Sequence, residues 1–200
     1  MKSQMKTLDS DSIKNLVKTK LQDNDSKAGT LVELEIRFQS NIDYYQFRDI
    51  LEKLTFAQDK GGLGLKNYNI FHRMDIKTND NVRLSIFGAD NVKLYWLKNG
   101  LEFLKPDAYK FIRKNKIQYI DLDDYDIRVS LANESDISQD DQDANVKVIN
   151  DPAAMKNYRL KNTYQIISKT GLFRYDLSSI KMAEAQTFKS SNIFQRPIQH

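Results

Sequence analysis

The 200-residue chain contains no cysteine, which excludes a disulfide framework and any thiolate metal site. It has two histidines, His72 and His200, too few for a zinc site or a histidine-based catalytic centre, and both are expected at the surface. No stretch approaches the ~20 apolar residues of a membrane span, and the N-terminus carries no apolar signal core. Gly61-Gly62-Leu63-Gly64 lacks the Lys-Ser/Thr of a P-loop and a buried strand before it, so a flexible loop is expected there. No internal repeat is visible. These absences predict a soluble protein of a reducing compartment, outside the membrane. Its length suits one domain over residues 1–200, and 40% hydrophobic residues suffice for a core. The net charge of +4 is too modest to imply nucleic acid by itself.

What the chain does have is alternation. In Thr30-Leu31-Val32-Glu33-Leu34-Glu35-Ile36-Arg37-Phe38, Glu33, Glu35 and Arg37 share one strand face, and Val32, Leu34, Ile36 and Phe38 the other. Residues i and i+2 of a strand lie about 7 Å apart on one face, close enough for two glutamates to approach one divalent cation and its waters. A charged face turned to water would show the same spacing. Four later segments repeat it with cations and hydroxyls in place of acids: Arg83 and Ser85; Arg128 and Ser130; Arg159, Lys161, Thr163 and Gln165, with Asn162 the one misfit; and Arg174, Asp176 and Ser178. An open sheet would present these faces to solvent. A closed antiparallel barrel would instead enclose them, setting glutamates and arginines around a multiply charged anion and a metal.

Between the strands, helical spacing predicts three helices: over 13–21, from Ile13, Leu16, Val17 and Leu21; over 42–54, from Phe47, Ile50, Leu51 and Leu54; and a short one capped by Asp90, carrying Val92, Tyr95 and Trp96 and ending at Gly100. Their apolar stripes are expected to pack on the outer wall of the sheet. Lys105, Lys110, Arg113, Lys114 and Lys116 cluster with Tyr109, Phe111 and Tyr119, a stretch that reads as a solvated strand face or as a track for an RNA backbone. Residues 133–145, with Glu134, Asp136, Asp140, Asp141 and Asp143, read as a mobile acidic loop.

Three runs, Glu33-Leu34-Glu35-Ile36-Arg37-Phe38, Tyr158-Arg159-Leu160-Lys161-Asn162-Thr163-Tyr164 and Phe173-Arg174-Tyr175-Asp176-Leu177-Ser178-Ser179-Ile180-Lys181, resemble in order and spacing the RNA 5'-triphosphatase domain of mRNA-capping enzymes. The likeness is to the triphosphate tunnel metalloenzyme type of large cytoplasmic DNA viruses and cytoplasmic linear plasmids. The resemblance covers the chain from about residue 30 onward, and its specificity lies in the ordered set of motifs.

It implies an α+β, β-dominated fold: an antiparallel tunnel-like barrel of about eight strands with helices packed outside. It implies that Glu33 and Glu35 bind Mn²⁺ or Mg²⁺, that Arg83, Arg128, Arg159, Lys161 and Arg174 contact the triphosphate, and that Glu134 and Asp176 orient those cations. Lys114 and Ser178 are looser matches to substrate-binding positions. Two departures stand out. Thr163 sits where the basic motif carries a further arginine, and no alternating acidic strand follows Asp176, since residues 188–200 contain no acid. The final acidic strand of the domain is therefore expected to be missing from residues 1–200, and the isolated chain to His200 is expected to bind triphosphate without appreciable hydrolysis. The implied activity is metal-dependent hydrolysis of the γ-phosphate of 5'-triphosphate RNA, in the cytoplasm, a viral factory or a virion. Guanylyltransferase and methyltransferase domains would lie in the same or a partner polypeptide. Two rival classes are an inert triphosphate or RNA-end binding module and a β-rich interaction protein.

Overall fold

Alternation of apolar and charged residues becomes seven strands. In the computed structural model, which describes residues 15, 18, 30–38, 40–56, 65–78, 81–168 and 174–199, they are β1 (Thr30–Phe38), β2 (Leu65–Lys77), β3 (Val82–Phe87), β4 (Tyr109–Leu122), β5 (Ile127–Asp136), β6 (Lys156–Ser168) and β7 (Arg174–Ala185). Among the described residues they are joined by the helices α1 (Tyr44–Phe56), α2 (Ala89–Lys98) and α3 (Gln139–Asn150). The strands are hydrogen-bonded in the order β1-β5-β4-β3-β2-β6-β7. The pairs β1–β5, β2–β3, β2–β6 and β6–β7 are antiparallel. This is the β-dominated, antiparallel α+β class expected from the sequence. No helix among the described residues is long and apolar enough to cross a membrane. Of the expected helix over 13–21 only Asn15 and Lys18 are described, both helical, and the glycine loop at 61–64, Phe173 and His200 lie outside the described residues.

The chain divides into two compact units, one of residues 1–40 and 113–136, the other of 41–112 and 137–200. The first holds β1, β5 and most of β4. Here β1 and β5 pair without a register shift from Thr30 opposite Ser135 to Phe38 opposite Ile127. The link from β4 to β5 is a single 3-10 turn, Asp123–Tyr125, closed by Asp126 in the left-handed region at φ 54°, a conformation that aspartate tolerates. The Asp126 carboxylate also accepts from Ser40, from its backbone N at 3.1 Å and its Oγ at 2.8 Å. That fixes the chain just beyond β1.

In the second unit the apolar residues of β2 and β3 (Met74, Ile76, Leu84 and Ile86) are fully buried. They join Tyr158 of β6, Val92 and Tyr95 of α2, and Phe188 in one core. Phe188 packs against Tyr158 at 5.4 Å and Tyr95 at 6.1 Å between ring centroids. Helix α1 starts with a reciprocal capping box: Gln46 N donates to Asp43 Oδ1 at 2.8 Å and Asp43 N to Gln46 Oε1 at 3.0 Å. Its buried Phe47 meets Tyr164 edge-on at 5.7 Å, as the stripe over 42–54 predicts. Helix α2 differs from expectation at both ends. It begins after Gly88 and stops at Asn99, because Gly88 at φ 89° turns the chain out of β3 and Asn99 at φ 55° accepts the left-handed C-cap.

Residues 133–145 are not a loop. β5 runs on to Asp136, and α3 begins behind Ser138, whose Oγ accepts from Asp141 N at 3.2 Å. Acids in the first turn of α3, Asp140 and Asp141, sit where the helix dipole favours negative charge. Ile137 and Ile149 anchor the segment in the core. Beyond β7, Gln199 forms an antiparallel bridge to Ile180, with both backbone N–H groups donating to the other residue's carbonyl, at 2.6 and 2.8 Å. β7 is thereby engaged on both sides at Ile180.

Candidate functional site

In the first unit the β1–β5 register puts Glu33 opposite Ala132, Glu35 opposite Ser130 and Arg37 opposite Arg128, so these residues share one face. Lys114 of β4 reaches the same face and gathers its acids. Its Nζ donates to Glu33 Oε2 and lies 3.6 Å from Glu134 and 3.9 Å from Glu35. Three carboxylates thus surround one ammonium. Glu134, the least exposed of the three, is where the resemblance places an acid that supports a cation. Arg128 is committed differently. Its Nε and Nη2 form a bidentate pair with Asp121 at 2.5 and 2.7 Å, and its guanidinium lies 4.6 Å from the centre of the Tyr119 ring. The Arg128 hydrogen bond holds the Asp121 carboxyl below its usual range.

The implied metal can be tested against this donor set. No group of three or more acidic or histidine side chains among the described residues is arranged as a complete metal site. Glu33 and Glu35 nevertheless converge on a single positive charge, that of Lys114. Carboxylate oxygens are the ligands a hard divalent cation takes, with water and phosphate oxygens completing its shell. The pair therefore fits such an ion as a partial ligand set.

The second unit holds the cations. Register places Arg73 opposite Lys161, Asp75 opposite both Arg159 and Ser85, and Lys77 opposite Arg83, all on the face away from the apolar core. Asp75 and Ser85 are fully buried beneath it. Ser85 Oγ donates to Asp75 Oδ1 at 2.7 Å, and Arg73 Nε lies 2.9 Å from the same oxygen. Asp75 Oδ2 has no hydrogen-bond partner. Burial, reinforced by repulsion from Arg73 and Arg159, pushes the Lys161 ammonium down to about 8, against the pull of Asp176 and Asp75. Further along, the Thr163 and Ser178 hydroxyls bond at 3.0 Å, and Asp176 receives Arg174 Nη2 at 3.1 Å and Gln165 at 3.4 Å.

Thus Arg83, Arg159, Lys161, Arg174, Asp176 and Ser178 fall on one face of the second unit, and Glu33, Glu35, Lys114, Arg128 and Glu134 on one face of the first. Arg73 and Asp75 were not singled out from the sequence, although Arg73-Met74-Asp75-Ile76 repeats the spacing of Arg174-Tyr175-Asp176-Leu177. The misfit Asn162 points to the opposite face, where its Oδ1 bonds the exposed His72 Nδ1 at 2.8 Å. Of the aromatics in the basic stretch, Phe111 is buried in the core and only Tyr119, at 57% exposure, stands open to solvent.

No family model matches the chain, and no curated protein matches it. Solved structures do match it. The RNA triphosphatase domain of a trifunctional mimivirus mRNA capping enzyme superposes with a TM-score of 0.61 at 18% identity, covering 92% of this chain and 83% of that one. The chain shares that fold. A monoclinic structure of the mimivirus capping enzyme triphosphatase gives 0.60 at 16% identity, covering 96% and 86%, and a triclinic one 0.57 at 14%, covering 94% and 85%. At such identity the likeness concerns the fold, and chemistry has to be argued from the side chains.

Proposed function

We propose that the chain is a metal-dependent RNA 5'-triphosphatase acting in mRNA capping. The observation that carries this reading is the group of Arg73, Arg159 and Lys161 held on one strand face around the buried carboxylate of Asp75, with the Lys161 ammonium disfavoured first by burial and then by the adjacent arginines. Cations so crowded favour a polyanion, and a linear triphosphate supplies several charges at that spacing. The mimivirus domains of the same fold are RNA triphosphatases of a capping enzyme, which supports the choice of substrate.

In this reading Arg73, Arg83, Arg159, Lys161 and Arg174 bind the triphosphate and take up the negative charge that spreads over the γ-phosphate oxygens during displacement. Asp75 and Asp176 orient those cations, each lying within ion-pair distance of an arginine. Glu33 and Glu35 would hold Mn²⁺ or Mg²⁺, which when bound neutralises charge on the transferring phosphate. Lys114 balances these acids otherwise, and Glu134 keeps it in place. A segment continuing the Gln199–Ile180 pairing along β7 would alternate onto the face of Ser178 and Asp176, a place for the further acidic strand that the resemblance implies. The product, a diphosphate-ended RNA, would pass to guanylyl-transfer and methyl-transfer domains.

Polyphosphate affinity tests the cationic face directly. A bound polyanion restores the Lys161 charge, so binding above pH 8 requires proton uptake. Affinity for a 5'-triphosphate-ended oligoadenylate, measured in EDTA, should fall as pH rises from 8 to 9.5, approaching roughly tenfold per unit. The phosphate ionisations, near pH ~6, are complete in that range. Isothermal titration of Lys161→Met should show weaker binding and a flat profile. Undiminished, pH-independent binding by Lys161→Met would rule out this use of the lysine. Tight tripolyphosphate binding with no metal-dependent phosphate release from triphosphate-ended RNA would favour the inert binding module, and no polyphosphate binding at all the interaction protein.

A further inference from the structure

The Arg128–Asp121 pair uses the charge that the resemblance assigns to a phosphate. Asp121 grips the guanidinium along two bonds and the Tyr119 ring lies against it, so Arg128 is fixed as a flat surface and its charge is already balanced. Arg37 stands opposite Arg128 in the register and adds to the field that lowers the Asp121 pKa. Tyr119 is 57% exposed, which leaves part of its ring accessible beside the Arg128 guanidinium. The platform also has a definite position: Arg37 is two residues from Glu35 on the same face, about 7 Å along the strand. A phosphate site does not need an exposed ring; a nucleobase does, because every base has a π-face that stacks on aromatic rings and guanidinium planes.

We infer that Tyr119 and Arg128, braced by Asp121, form a stacking subsite for the first bases of the RNA, beside the acidic face that serves its triphosphate. This rests on the triphosphatase reading and deepens it. The site then distinguishes a nucleic-acid end from a bare polyphosphate, and it does so without selecting a sequence, since stacking tolerates every base. Arg37 supplies the charge for the adjoining phosphodiester.

Equilibrium binding in EDTA, where nothing is hydrolysed, tests the subsite with three probes: inorganic tripolyphosphate, a triphosphate-ended pentaribonucleotide, and the same oligonucleotide made abasic at its first two positions. The protein should bind the natural oligonucleotide roughly tenfold more tightly than the abasic one. Tyr119→Ala should erase that ratio and leave tripolyphosphate affinity unchanged, whereas Tyr119→Phe should keep it, since the ring is what stacks. Circular dichroism of both variants should match that of the unchanged protein. Equal affinity of the unchanged protein for natural and abasic oligonucleotides, or a Tyr119→Ala loss shared equally by tripolyphosphate, would overturn the subsite while leaving the triphosphatase reading intact. Failure of the unchanged protein to bind any of the three would overturn that reading and the subsite with it.

Discussion

Glu33→Ala and Glu35→Ala should each lower metal-dependent phosphate release from triphosphate-ended RNA by more than about a hundredfold while leaving the melting temperature within about 2 °C of the unchanged protein. Both side chains are partly exposed, at 32% and 46%, and neither fills a core, so truncation opens no cavity. What is lost is an oxygen ligand for a hard cation, and two carboxylates leave none to spare. Lys114 keeps Glu134 as a partner at 3.6 Å in either variant, which limits the effect on stability. Mn²⁺ titration of activity, read together with a thermal melt, checks both halves of the expectation. Full turnover in either variant would remove Glu33 or Glu35 from the metal assignment.

Asp75→Ala should act in the opposite way, chiefly on the fold. Its carboxylate is fully buried and receives Ser85 Oγ, with Arg73 Nε 2.9 Å away and Arg159 opposite in the register. Removing it leaves half-buried cations uncompensated and the buried Ser85 hydroxyl without its acceptor, a change that costs roughly 2–4 kcal/mol and should lower the melting temperature by roughly 10 °C. Triphosphate should recover part of the loss, because a bound polyanion supplies the missing negative charge. A melt of Asp75→Ala with and without tripolyphosphate reads both effects. An unchanged melting temperature would mean that Asp75 does not hold the cationic face together.

The parts of the fold legible from the sequence are those where one face alternates without interruption. β1 is read to its last residue for that reason. β2 is not, because Ile70 and Phe71 are adjacent apolar residues and His72 then stands on the apolar side, which breaks the period in mid-strand; only the pairing with β6, where His72 meets Asn162, restores it. The acidic run at 133–145 misled through composition. Ser138 as a cap and Ile137 and Ile149 as anchors were present, but five acids outweighed them in a reading by charge. In the candidate site, motif order pointed to Arg159, Lys161, Arg174 and Asp176. Arg73 and Asp75 carry the same Arg-x-Asp spacing, hidden inside the unread strand. Asp121 and Arg128 lie on either side of a turn, and their pairing depends on a register that spacing alone does not supply.

The most direct measurement is of the product. With an acidic strand supplied along β7 beyond Gln199 and with Mn²⁺ or Mg²⁺ present, RNA labelled at the γ-phosphate of its 5' end should release the label as inorganic phosphate and leave a diphosphate-ended chain. EDTA should abolish the release. Release of pyrophosphate, metal-independent release, or turnover undiminished in a Glu33→Ala, Glu35→Ala double variant would contradict the account.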